Sequence, residues 1–167
     1  MRPAEELRYL VLAVQREGNR ILAADLRPLG LTPSQAEVLR VLADHQPLTL
    51  AGLGELLVCE TGGSPSRLVD RLVAMDLVKR ESAADDRRRI TLSLTSAGEQ
   101  LSTRVAEVEE RLYRTIDDLT DGKPMTDTLV LLRGFADRFP AVQAVERRAH
   151  HRGDRVGTAL RQPSEPR

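Results

Sequence analysis

Apolar residues Leu7, Leu10, Val11, Val14, Ile21 and Leu22 recur at helical spacing through residues 5–27, with a polar break around Gly18 and Pro28 at the end. This pattern predicts a long amphipathic first helix. In GLTPSQAEVLRVLADH, Thr32 is placed as N-cap, Pro33 as the first helical residue and Gln35 as the partner that completes a capping box. A third helix is predicted from about Thr49 to Val58, with Leu50, Leu53, Leu56 and Leu57 inward and Gly52 and Gly54 weakening it. SPSRLVDRLVAM then puts Leu68, Val69, Leu72, Val73 and Met75 on one side and Ser66, Arg67, Asp70 and Arg71 on the other. Thr61 or Ser64 caps this fourth helix, and Pro65 fits its first position after Ser64.

LVKRES and RITLSLT read as two short strands joined by the charged turn SAADDRR, a hairpin in which the second strand alternates cleanly. Ser96 and Glu99 form a capping box for a helix carrying Leu101, Val105, Val108, Leu112, Ile116 and Leu119, a seam without an obvious partner in a small lobe. DGKP breaks that helix. TDTLVLLRGFADRF follows with Leu129, Leu132, Phe135 and Phe139 as its stripe, and Pro140 kinks or ends it. AVQAVERRAHH adds a few turns, whereas GDRVGTALRQPSEPR lacks periodicity and is expected to be disordered. Two short helices, a tight turn and a hairpin make a helix-turn-helix with a wing.

Composition narrows the core and the setting. Aromatics are 2% of the chain and Trp is absent, so aliphatic side chains carry the packing, which favours helices over a sheet sandwich. Cys59 is the only cysteine, which excludes an intrachain disulfide and suits a reducing compartment. No signal sequence or membrane-length apolar run is visible, and a cytoplasmic location is expected. The net charge is zero but unevenly spread, at −2 over residues 1–60, +2 over 61–95, −4 over 96–146 and +4 over 147–167.

LRPLGLTPSQAEVLRVL, SRLVDRLVAMDLVKR and DRRRITLSLTSAGEQL, in that order and at that spacing, resemble the MarR (multiple antibiotic resistance regulator) family of winged-helix repressors. The likeness runs from the first helix to about Phe139. It implies a mainly α fold with a small β-hairpin wing, in which a winged helix-turn-helix lobe joins N- and C-terminal helices that form a dimerisation region. Residues 1–30 would be the N-terminal dimerisation helix, 31–95 the DNA-binding lobe, 96–148 the C-terminal dimerisation helices and 149–167 a basic, disordered tail. The expected function is that of a homodimeric, sequence-specific repressor on a near-palindromic operator, with a small acidic or phenolic ligand between lobe and dimer region.

The residue chemistry agrees with that reading. Ser64, Ser66, Arg67 and Arg71, with Thr61 at the helix start, present small hydroxyls and then guanidinium groups, as a helix entering the major groove requires. Without a wing, Arg67 and Arg71 read as ordinary solvated positions that pair with Asp70. Arg87 and Arg88 at the hairpin tip are candidates for the minor groove. By likeness to the family, Asp86 braces one of them while the other inserts, with Arg88 favoured for insertion; Arg89 meets phosphate or solvent. Arg16, Asn19 and Arg20 could reach an anionic ligand, with salt bridges between helices as the alternative use.

Cys59 reads either as a small buried hydrophobe or as a redox-responsive thiol with a lowered pKa beside the recognition helix. His45 is placed as a C-terminal cap of the second helix. No spacing suggests a metal, a cofactor or catalytic residues. A winged-helix protein-interaction module without DNA binding is the other alternative, and it would be favoured by acidic residues in place of the wing arginines, which stand unreplaced.

Overall fold

Thr32 sets the frame of the lobe. Its hydroxyl accepts the N–H of Gln35, and the Gln35 side chain accepts the N–H of Thr32 in return, so the capping box forms with Pro33 at the first position. The computed structural model describes residues 1–59, 64–82 and 88–159, with side chains as far as residue 149. In chain order these residues form α1 (Pro3–Leu26), α2 (Pro33–His45), α3 (Leu50–Leu56), α4 (Pro65–Ala74), β1 (Val78–Ser82), β2 (Ile90–Leu94), α5 (Ser96–Thr120), α6 (Met125–Arg133) and α7 (Pro140–Ala159). A 3-10 turn at Arg27–Leu29 follows α1, and Gly30 leaves it with φ of 71°, a left-handed conformation that suits glycine.

The mainly helical architecture with a two-stranded wing matches the expectation from sequence. The strands pair antiparallel from Val78↔Leu94 to Ser82↔Ile90. Leu48 adds a third rung by exchanging backbone hydrogen bonds with Leu92, at 3.1 and 2.7 Å. At the base of the hairpin, Gln46 Oε1 accepts the N–H of Leu94 at 2.6 Å. These bonds tie the wing to the α2–α3 loop.

The core is aliphatic. Leu26 from α1, Val38, Leu39 and Leu42 from α2, Leu53 from α3, Val69 and Leu72 from α4, Leu92 from β2 and Val105 from α5 are completely buried. Leu50 and Met75, expected inward, are instead 38% and 42% exposed. Both lie at a helix end, where the apolar stripe runs past the edge of the core. The predicted seam on α5 also divides. Leu101, Val105 and Val108 pack into the lobe itself, so only Tyr113, Ile116 and Leu119 beyond them remain exposed.

Several boundaries differ from the sequence reading. Thr95 rather than Ser96 caps α5, because its N–H completes the strand ladder on Leu77 O while its hydroxyl accepts the N–H of Gly98 at 3.0 Å. The helix α6 stops at Arg133, and Pro140 opens α7 rather than ending a helix, as a residue without an N–H can at a first position. The backbone then stays helical to Ala159, into the stretch where the sequence pattern predicts no regular structure. Residues 140–159 hold no internal proline, so nothing in them forbids helical hydrogen bonding.

Gly98 marks the closest backbone approach. A Cβ there would stand 2.0 Å from the carbonyl oxygen of Leu77, part of the main chain and unable to swing aside. We predict that Gly98→Ala destabilises the fold by about 1–3 kcal/mol despite alanine's better helix propensity, as overpacking does. Thermal denaturation checks this, and an unchanged or higher melting temperature would refute the contact.

Candidate nucleic-acid interface

The helix α4 buries Leu68, Val69 and Leu72. At 3.6 residues per turn, those three positions leave Arg67, Asp70 and Arg71 on the outer face, where all three are exposed. Ser64 precedes Pro65 in extended conformation, and its carbonyl accepts the N–H of Arg67 at 3.0 Å. Its hydroxyl makes no capping bond and the residue is exposed, while Ser66 is half-buried. Thr61 lies outside the described residues.

Asp70 does not pair with Arg67 or Arg71. Its carboxylate accepts a hydrogen bond from Arg80 of β1 at 2.6 Å. Strand register explains the choice: Arg80 sits opposite Leu92, on the face of the hairpin turned toward the core, and therefore reaches the flank of α4. Sequence reasoning missed Arg80, although its position two residues after the buried Val78 is the signal. The pair is roughly half exposed and contributes little stability. What it supplies is a fixed relation between the helix that bears Arg67 and Arg71 and the hairpin that bears Arg88 and Arg89.

Arg88 and Arg89 are exposed at the entry to β2, while Asp86 and Arg87 lie outside the described residues. Arg89 shares a face with Thr91 and Ser93, and with Glu81, Thr49 and Gln46 it lines an open cavity of about 610 Å³ between the wing and the α2–α3 loop. Arg20 donates to Glu17 at 2.8 Å within α1, and that bond holds the Glu17 carboxyl below its usual range. Arg16 is exposed and Asn19 is half-buried. His45 stands in the last turn of α2, where a cation suits the helix dipole.

The environment of Cys59 reverses the expectation of a lowered pKa. Partial burial, followed by the charge and hydrogen bonding of the adjacent Glu37 carboxylate, pushes the thiol up to about 12. Burial and the position of Glu37 thus favour the reading of Cys59 as a small hydrophobe over an activated thiolate. The Glu37 carboxylate accepts the N–H groups of Val58 and Cys59, at 2.8 and 2.9 Å. The same two bonds draw residues 58 and 59 out of α3, which ends at Leu56 instead of Val58. Among the described residues, no group of three His, Cys, Asp or Glu side chains could hold a metal ion, and no helix is long and apolar enough to cross a membrane.

A short α3, an exposed cationic face on α4 and an anchored hairpin define a winged helix-turn-helix lobe of the DNA-binding class. The sequence profile described as MarR family matches residues 29–89, which is this lobe from the end of the 3-10 turn to the wing. Over 108 residues the chain is 27% identical to the organic hydroperoxide resistance transcriptional regulator of Bacillus subtilis, spanning 65% of this chain and 73% of that protein. It is 28% identical over 109 residues to the HTH-type transcriptional regulator MgrA of Staphylococcus aureus, spanning 65% and 74% respectively.

Among solved structures, a cysteine-to-serine mutant of MarR from E. coli, complexed with operator DNA, superposes with a TM-score of 0.68 at 25% identity over 77% of this chain and 92% of that one. The S. aureus MepR–DNA complex shares the fold, with a TM-score of 0.71 at 22% identity over 79% and 97%. Over residues 29–89 the chain is similar to the MarR family, and the relatives it resembles are transcriptional regulators, one of them solved on operator DNA.

A thiol with its pKa moved from 9.0 to about 12 is protonated at neutral pH in the folded protein. We predict that Cys59 reacts with iodoacetamide at pH 8 on the order of a hundred- to a thousandfold more slowly in the native chain than in the denatured one. The same shift fixes a pH window for stability. The unfolded chain loses its thiol proton first, so this contribution is intact below pH 9.0 and is lost as pH rises toward 12. Cys59→Ser should flatten that part of the alkaline stability curve, and alkylation of the native thiol at the denatured rate would contradict the assignment.

Proposed function

We propose that the protein is a homodimeric repressor that acts in the cytoplasm on a near-palindromic operator. The observation that carries the homodimer is the apolar surface left by one protomer. Leu10, Val11 and Val14 of α1, Ile116 and Leu119 of α5, and Leu129, Val130 and Leu131 of α6 are 42–72% exposed. An apolar surface of this kind, on helices flanking the lobe, fits burial against a second copy. Two lobes related by a two-fold axis then read half-sites about 10 base pairs apart between centres.

In this reading Arg67 and Arg71, with Ser64 and Ser66, face the major groove. Arg88 enters the minor groove, with Arg87 held by Asp86, and Arg89 contacts phosphate. Release by a small acidic or phenolic ligand is supported by a second cavity, of about 220 Å³, where Arg40, Asp44, Glu109, Tyr113 and Arg148 bring α2, α5 and α7 together. Its size suits a ligand of about one aromatic ring.

A mobility-shift assay on the DNA upstream of the protein's own gene tests the function. Arg67→Ala is expected to cost about 1–3 kcal/mol on the operator and to relax specificity at the base pair it reads, while Arg88→Ala weakens binding and reduces its salt dependence. Equal affinity for operator and random duplex would refute a sequence-specific regulator. For the dimer, Val130→Asp is expected to shift sedimentation toward the monomer; a wild-type chain that is monomeric at micromolar concentration would refute it.

A further inference from the structure

Among the described residues, Glu37 is the one charged residue with a buried side chain, at 7% exposure between Ala36 and Val38 of α2. Such a carboxylate needs partners, because an unpaired buried charge costs several kcal/mol. Its partners converge from two directions. The N–H groups of Val58 and Cys59, at the end of α3, donate to Oε1 and Oε2. Arg148 of α7 donates from Nη2 to Oε1 and from Nε to the carbonyl of Leu56, the latter at 2.6 Å. Beside it, Arg147 donates to the carbonyl of Glu55 from Nε at 3.1 Å and from Nη2 at 2.7 Å.

The C-terminal helix therefore satisfies the last carbonyls of α3 and, through Glu37, the first amides after it. Two cations also sit at the negative end of that helix. With only 7 residues, α3 is too short to hold its own geometry in water, so its last turn depends on these outside contacts. Val58 and Cys59 are followed in the chain, after residues 60–63, by Ser64 and α4.

We propose that Arg148 and Glu37 are positioning residues for the recognition helix: α7 reaches back across the lobe and, through this pair, fixes the end of α3 and the amides of Val58 and Cys59 that precede α4 in the chain. This rests on the DNA-binding reading of α4, but the latch itself can be examined without DNA. It makes the C-terminal helix a working part of the DNA-binding lobe, beyond its expected place in a dimer region. Neither residue is among those proposed above to contact DNA or the second copy, although Arg148 also lines the cavity of about 220 Å³.

The test compares wild type, Arg148→Gln and Glu37→Gln as full-length chains. Amide hydrogen exchange at Val58 and Cys59 is read by NMR, with the core amide of Val105 as reference. In wild type both amides should be protected, and Arg148→Gln should speed their exchange by about tenfold while Val105 is unchanged. Operator affinity should fall by about tenfold as well, with the salt slope unaltered, whereas loss of a phosphate contact would lower the slope by about one. Should Arg148→Gln fail to fold, Arg148→Lys, which keeps the charge but loses the planar fork, reads the same amides.

Unprotected wild-type amides, or exchange unaffected by either Arg148 variant, would overturn the latch. Faster exchange with unchanged operator affinity would overturn its positioning role, and so would a salt slope reduced by one. If wild type binds no DNA while the amides respond as expected, the DNA-binding reading has failed and the latch stands.

Discussion

Burial of Leu68, Val69 and Leu72 decides which way the cations of α4 point. Those three side chains enter a core made almost wholly of leucine and valine, and helical geometry then leaves Arg67 and Arg71 on the opposite side. Each buried leucine or valine contributes about 1.5–3 kcal/mol, more than the surface ion pairs around them can. The hydrophobic stripe is the constraint, and the cationic face follows from it.

Ionic contacts add placement to that packing. Asp70 and Arg80 relate α4 to the wing. Arg40 donates to Glu109 at 3.1 Å and to Ser102 at 3.4 Å, and Ser102 in turn donates to the carbonyl of Leu39, so α2 and α5 share a partly buried network. Glu37 and Arg148 bring in α7. The last two link elements distant in sequence, and each of the three includes a carboxylate.

Much of this was legible beforehand. The α2 capping box, the Pro65 start of α4 and the two strands of the hairpin all follow from local rules, because a cap, a proline and a two-residue alternation depend on near neighbours. The candidate interface was legible to the same extent, since Arg67 and Arg71 follow from periodicity. The partner of Asp70 was not, because Arg80 meets it across the gap between a helix and a strand. The surroundings of Cys59 were not legible for a similar reason: besides burial, it is Glu37 that raises its pKa, and Glu37 is 22 positions away on α2. The helical path of α7 toward Ala159 is another long-range matter, since its arginines find their acceptors on α3.

The contact between Gly98 and Leu77 has a mechanical side. From Ser96 to Thr120, α5 is a rod of 25 residues, about 37 Å long. Its first turn rests directly on the main chain that closes the recognition helix, with no side chain between to absorb movement. By lever geometry alone, a tilt of the rod about that contact would carry Thr120 much farther than Leu77.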